Sequence, residues 1–128
     1  MDGLLVHPQI ERIRTSIRHQ IEFDILAEDG DTDLLTEIIN IMVKVMCSTS
    51  PTMRISGQDV PMELVKDAYG RLRPSDIEGV IWAYKGVEEP IQNPTAYMTS
   101  MLYHAPDSGM LVDINRLSST NNMGLNGS

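Results

Sequence analysis

The run 34-LLTEIINIMVKVM-46 decides the fold. Apolar side chains stand at Leu34, Leu35, Ile38, Ile39, Ile41, Met42, Val43, Val45 and Met46. Only Thr36, Glu37, Asn40 and Lys44 interrupt them, mostly on one narrow side. A helix that is apolar over most of its circumference has to be buried. This run is the expected central helix, and the rest of the chain has to cover it. Ser48-Thr49-Ser50-Pro51 ends it, because a residue before proline disfavours helical backbone. Cys47 closes the run and reads as a small buried hydrophobe. No motif pairs it with a histidine, so it does not read as a nucleophile.

Upstream, Ile10, Ile13, Ile17 and Ile21 mark one stripe of an amphipathic helix that opens at Pro8. Arg14 and Arg18 lie beside that stripe. Their bland reading is a solvated face; the sharper one is a contact strip for an acidic partner. The connection 22-EFDILAEDGDTDLLTE-37 holds seven acids and no base. Asp31 or Thr32 is placed to cap the central helix, with acids favoured near its positive end. Asp29, Asp31 and Asp33 match the first three ligand positions of a calcium loop. The match then fails, because Leu34 stands where glycine must turn and Asn40 where glutamate must close the site.

Downstream, 52-TMRISGQDVPMELVKDAYGRL-72 changes character in its middle. Met53, Ile55 and Val60 flank a polar Ser56-Gly57-Gln58-Asp59 turn, so 52–60 reads as a β-hairpin. An isolated hairpin is marginal in water and has to lean on neighbouring helices. Pro61 opens the next helix, with Leu64, Val65, Ala68, Tyr69 and Leu72 as its apolar face. Pro74 breaks the pattern, and Ser75 with Glu78 reads as a capping box. Ile77, Val80, Ile81 and Tyr84 form the following stripe. Trp82 sits off it, either packing on another element, the favoured reading, or facing a partner. Asn93 caps and Pro94 starts the last clear helix, lined by Tyr97, Met98, Met101 and Leu102 and ended by Pro106.

The expected architecture is mainly α: a compact bundle of about five helices, with one short hairpin between the second and third. Residues 1–7 form an extension, 8–106 the helical domain, and 107–128 a polar tail from which only Leu111, Val112, Ile114 and Leu117 offer apolar docking groups.

Composition bounds the function. The 128 residues fit one domain that needs no metal or disulfide to fold. Nine methionines suit an adaptable core more than a Met-rich groove, since most fall on core stripes. A formal charge of −8 repels nucleic acid as a whole-domain field, while a local basic patch stays open. Arg12, Arg14, Arg18, Lys66, Arg71 and Arg73 would form one if the first helix neighbours the helix after the hairpin. The lone cysteine suits a reducing, cytoplasmic setting. No apolar stretch reaches the roughly 20 residues of a membrane span, and residues 1–6 are too short and acidic for a signal peptide.

Catalytic patterns are missing. Gly70 and Gly79 have no phosphate-loop partners. His7, His19 and His104 fit no metal spacing. Ser56 has no nucleophile-elbow frame. Glu88 and Glu89 are adjacent and point apart, which suits a solvated loop better than an acid/base pair. No catalytic residue, metal ligand or cofactor is expected, which leaves an interaction module.

The order of several short pieces carries a resemblance. They are 23-FDIL-26, 46-MCS-48, 54-RISGQDVP-61 with Val65-Lys66 downstream, Ile77 and Val80, and 91-IQNPTAYMTSMLYHAP-106. Over about residues 17–106 the chain resembles the C-terminal domain of replication initiator protein A-like proteins, found on plasmids and integrative elements of Gram-positive bacteria. That domain is of unknown function and is similar to the DnaD-like modules of primosome proteins. There are departures: 66-KDAY-69 stands where the family has Lys-Ser-Arg-Phe, and His104 where it has asparagine. The family's N-terminal winged-helix domain has no counterpart in these residues, so the chain reads as an excised domain or a stand-alone relative.

The resemblance implies a replication role. The domain would recruit host replication proteins, primase or helicase loader, by protein–protein contact. The alternative is direct binding of single-stranded DNA, which needs exposed aromatics beside a basic groove. The candidate partner-binding residues are Arg54, Gln58 and Asp59 on the hairpin, Lys66, Arg71 and Arg73 beyond it, and Arg14 and Arg18 on the first helix. For the hairpin itself, a structural role in setting the angle between its helices competes with partner contact. Monomer and dimer remain equally open.

Overall fold

The computed structural model describes residues 8–28, 30 and 32–106. The apolar run becomes α3 (Thr32–Cys47), with Leu35, Ile38, Ile39, Ile41, Met42, Val43 and Val45 buried. Its exposed side is Thr36, Glu37, Asn40, Lys44 and also Cys47. The cysteine was expected inside and is outside. The physical reason is helical phase, because Cys47 lies three residues past Lys44 and continues the polar stripe. Thr32 is the first residue of the helix rather than its cap. Asp31, the other capping candidate, lies outside the described residues with Asp29.

Helix α1 (Pro8–Gln20) lays its isoleucine stripe along α3. Ile17 and Ile21 are buried, and Ile10 and Ile13 are partly so. At Glu22 the backbone turns left-handed, with φ of 53°. This separates α1 from a short helix that sequence periodicity did not show, α2 (Phe23–Ala27). The Glu22 carbonyl accepts from the N–H groups of Ile25 and Leu26 at 3.0 and 3.1 Å, and Leu26 inserts into the core. Arg18 lies over the Phe23 ring, 4.1 Å from its centroid. That cation–π contact holds the corner between the two helices.

The hairpin is present as β1 (Thr52–Ile55) and β2 (Gln58–Pro61), antiparallel, with Met53 opposite Val60 and Arg54 opposite Asp59. Its turn is tighter than the four polar residues suggested. Ser56 and Gly57 alone form it, with φ of 52° and 83°. Positive φ at both central positions is what a type I′ turn requires. Alternation puts Ile55 in the core and leaves Arg54 and Asp59 outside, paired at 3.0 Å. Because α2 precedes it, the hairpin falls between the third and fourth helices.

Helix α4 (Met62–Gly70) follows directly and packs on both strands and on α3. Val65, Ala68 and Tyr69 are buried as expected, whereas Leu64 is half exposed. Tyr69 crosses the interior to donate from its hydroxyl to the Thr99 carbonyl at 2.9 Å. Burial pushes its pKa well above the ordinary tyrosine value, and the hydrogen bond only partly opposes this. Gln20, at the end of α1, donates from its side-chain amide to the carbonyls of Tyr69 and Leu72, both at 2.9 Å. A non-local side chain thus adds a donor at the C-terminal end of α4, where the Tyr69 carbonyl otherwise accepts a long bond of 3.3 Å from the Leu72 N–H.

Helix α5 (Pro74–Lys85) begins one residue earlier than the expected cap. Pro74, expected as a breaker, occupies the first helical position, where its missing N–H costs nothing. The capping group is Asp76, not Ser75. Its buried carboxylate accepts from the Arg73 backbone N–H at 2.9 Å and from the Arg73 guanidinium at 3.1 and 3.2 Å. Arg73 has no acceptor of its own, so this is one half of a capping box.

The sixth helix among the described residues, α6, spans 94–106. Asn93 caps it as expected, accepting from the Ala96 N–H at 3.1 Å. Met98, Leu102 and Ala105 are buried. The result is a mainly α-helical fold with a single two-stranded hairpin among the described residues.

Candidate functional site

Helices α5 and α6 each have two faces. The core stripes, Ile77–Val80 and Met98–Leu102–Ala105, point inward. The Tyr84 and Tyr97 rings lie 6.2 Å apart, so the end of α5 meets the start of α6. The second face of each helix, with the hairpin turn, encloses a groove of about 1380 Å³. Small side chains (Gly79, Ala83, Ala96 and Ser100) are among its lining, with Val80 and Ala105 of the core stripes buried beneath. Trp82 and Tyr97 stand at the end where the two tyrosine rings meet. The hairpin reaches it through Ser56, whose N–H donates to the Ser100 hydroxyl at 3.2 Å.

Trp82 is 81% exposed, which corrects the packing expected for it. Its position off the 77/80/81/84 stripe was the signal. Tyr97, expected on the core face, is 39% exposed at the groove rim. Ile25 and Leu64 are also exposed, on α2 and α4 away from this groove.

The sequence-derived candidates separate into two groups. Arg54 and Arg73 line the groove. Gln58 and Asp59 are exposed on the strand beside it, with Asp59 held by Arg54. The others face elsewhere and are tied to their own surroundings. Arg14 donates to the Asn40 side chain at 2.8 Å, Arg18 stacks on Phe23, Lys66 donates to the Ser48 carbonyl at 2.8 Å, and Arg71 pairs with Asp67 at 3.2 Å. Gln20 does join the ends of α1 and α4, but none of Arg12, Arg14, Arg18, Lys66 or Arg71 lines the groove.

The electrostatics of the groove are mild. Its lining carries two arginines against one carboxylate, Asp76, whose side chain is 2% exposed while that of Arg73 is 56% exposed. Arg54 is in turn paired with Asp59 at 3.0 Å, so each arginine of the lining has a carboxylate beside it. Among the described residues, no three His, Cys, Asp or Glu side chains form a group that could hold a metal ion. Nor is any helix among them long and apolar enough to cross a membrane.

Fold and groove together define a mainly α-helical domain whose outer surface offers an open, largely apolar cleft. Residues 3–121 match the model of a family of unknown function, DUF6017, and the chain belongs to that family. No curated protein and no solved structure matches it.

Proposed function

We propose that the chain is a non-catalytic recruitment module. It is read as the C-terminal domain of a plasmid or mobile-element replication initiator that binds host primase or helicase loader by protein–protein contact. The replication context rests on the ordered sequence pieces from 23-FDIL-26 to 91-IQNPTAYMTSMLYHAP-106. The observation that supports docking is the exposure of Trp82 beside the α5/α6 groove. Exposed aromatics in a concave apolar surface are the usual anchors of protein interfaces. The groove is also larger than the roughly 300–1,000 Å³ typical of small-molecule pockets. The test is capture from a Gram-positive lysate with the whole chain as bait. Primase or helicase loader should be retained, and retention of neither removes the reading.

A second reading is direct binding of single-stranded DNA, and one specific observation favours it. Trp82 and Tyr97 are exposed near Arg54 and Arg73, the arrangement that base stacking requires. Against it stand the overall negative charge and the carboxylate partner that each of these arginines already holds. A labelled oligonucleotide at about 50 mM salt, where phosphate contacts are strong, decides.

A further inference from the structure

We infer that residues 110–117 fold back along α6 and fill the α5/α6 groove of the same chain. The segment follows α6 closely and lies outside the described residues. An outside partner that uses this surface then has to displace it. The inference concerns the groove of the recruitment reading but does not depend on that reading.

The sequence makes this segment apolar on one side. Met110, Ile114 and Leu117 fall at i, i+4 and i+7, one face of a two-turn helix, and Leu111 flanks it. Asp107-Ser108-Gly109 separate it from Pro106 at the end of α6. Three residues are within the two to five that join antiparallel helices. The match to the family model supports the same unit. It runs to residue 121, past the end of α6 and past Leu117, and leaves out only the mostly polar residues 122–128. The segment therefore belongs to the pattern that defines the family.

The structure supplies a place for it. The inner face of α6, with Met98, Leu102 and Ala105, is taken by the core. The second face presents Tyr97, Met101 and His104 to the groove, again at i, i+4 and i+7. His104 and Ala105, at the very end of α6, are part of the lining, so the chain leaves the helix at the groove itself. Eight residues of helix span about 12 Å, against about 10 Å of α5 wall from Asp76 to Ala83. Covalent attachment favours this occupant over a second copy. A short tether holds the segment at an effective concentration on the order of 1 mM, so weak apolar contact is enough to close the groove within one chain. A second copy has to reach that concentration in solution.

Through-space methyl NMR on the full chain tests this, with Ile, Leu, Val and Met methyls labelled. Cross-peaks should join Ile114 or Leu117 to Met101 or Ile91, two apolar side chains of the groove lining. The double variant Ile114→Ser with Leu117→Ser should lose these cross-peaks and shift the Met101 methyl signal. Core methyls of α3, such as Ile38 and Val45, should stay in place, since neither substitution touches a described element. A free peptide of residues 107–121 added to that variant should return the Met101 signal toward its wild-type position at or below about 1 mM.

Three results overturn the inference. One is the absence of the cross-peaks in wild type, with the Ile114 and Leu117 methyls at the positions of a free peptide. Another is cross-peaks that survive only between chains when labelled and unlabelled protein are mixed, which assigns the groove to a second copy. The third is a Met101 signal that neither the double variant nor the peptide moves. The recruitment reading is decided separately, by retention of primase or helicase loader from the lysate.

Discussion

Gln20 tests whether a non-local cap holds two helix ends together. Its amide donates to the carbonyls of Tyr69 and Leu72, both at 2.9 Å and partly buried. A net intramolecular hydrogen bond contributes about 0.5–1.5 kcal/mol, so losing both costs about 1–3 kcal/mol. Partial burial places the value in the lower half, because water can replace some of the bonding. Gln20→Met isolates the effect. The two residues have similar size and near-equal helix propensity, so α1 itself is unaffected. Urea unfolding followed by far-ultraviolet circular dichroism measures the change; Trp82 is too exposed to report unfolding well. The midpoint should fall with m unchanged, and Tm should drop by about 4–10 °C. Gln20→Glu adds a direction. Above a carboxyl pKa of about 4.3, the new side chain has no donor and turns a negative charge toward two carbonyls. It should be worse than Gln20→Met at neutral pH. Below that pKa its protonated form regains one donor, so its deficit relative to wild type should shrink. A Met variant within about 0.3 kcal/mol of wild type, the usual scatter for an unimportant surface change, refutes the bridging role.

Four further outcomes are expected. Asp76→Ala removes a buried carboxylate that accepts three hydrogen bonds from Arg73 and should cost about 1.5–3 kcal/mol in chemical denaturation. Tyr69→Phe should remove an alkaline instability: the folded pKa is raised, so the unfolded state loses its proton first, and wild-type stability falls above pH 10 by up to about 1.4 kcal/mol per pH unit; wild type and variant showing parallel stability curves above pH 10 would contradict this. Glu22→Gly relieves a left-handed backbone that costs a side-chain-bearing residue about 1–2 kcal/mol, partly offset by glycine's greater unfolded freedom, so Tm should hold or rise by a few degrees. Cys47 is exposed and should react with a thiol reagent in the native chain at a rate that added denaturant barely changes.

Much of the fold was legible in the sequence because burial imposes a period. The 34–46 run, the isoleucines of α1 and the 77/80/81/84 stripe each announce a helix and its inward face. The caps were less legible. Asn93-Pro94 carries a strong local signal and is correct. Ser75 carries a similar one and loses to Asp76, because Pro74 can open the helix one residue earlier and bring Arg73 to the capping position. Helix α2 was missed because five residues are too few to show a period. Gln20 was missed for a different reason. Its partners lie 49 and 52 residues away, and no local pattern marks a long amide as a cap for another helix. The candidate site was half legible. Trp82 was visibly off its stripe, and Arg54 and Arg73 were named, but their convergence depends on how α5, α6 and the hairpin turn meet.

The hairpin also ties elements of the fold together. A short loop could join α3 to α4 without strands. The hairpin instead buries Ile55, packs both strands on α4 and carries Ser56 to Ser100 on α6. The type I′ turn at Ser56-Gly57 puts the Ser56 N–H at the hairpin tip, while Arg54 and Asp59 pair on the strands behind it. The structural role weighed for this arm is visible in these contacts, and the contact role belongs to the proposed docking. The same geometry that ties the turn to α6 places Arg54 at the groove rim, so lengthening the turn by one residue should loosen α6 and displace Arg54 from the groove together.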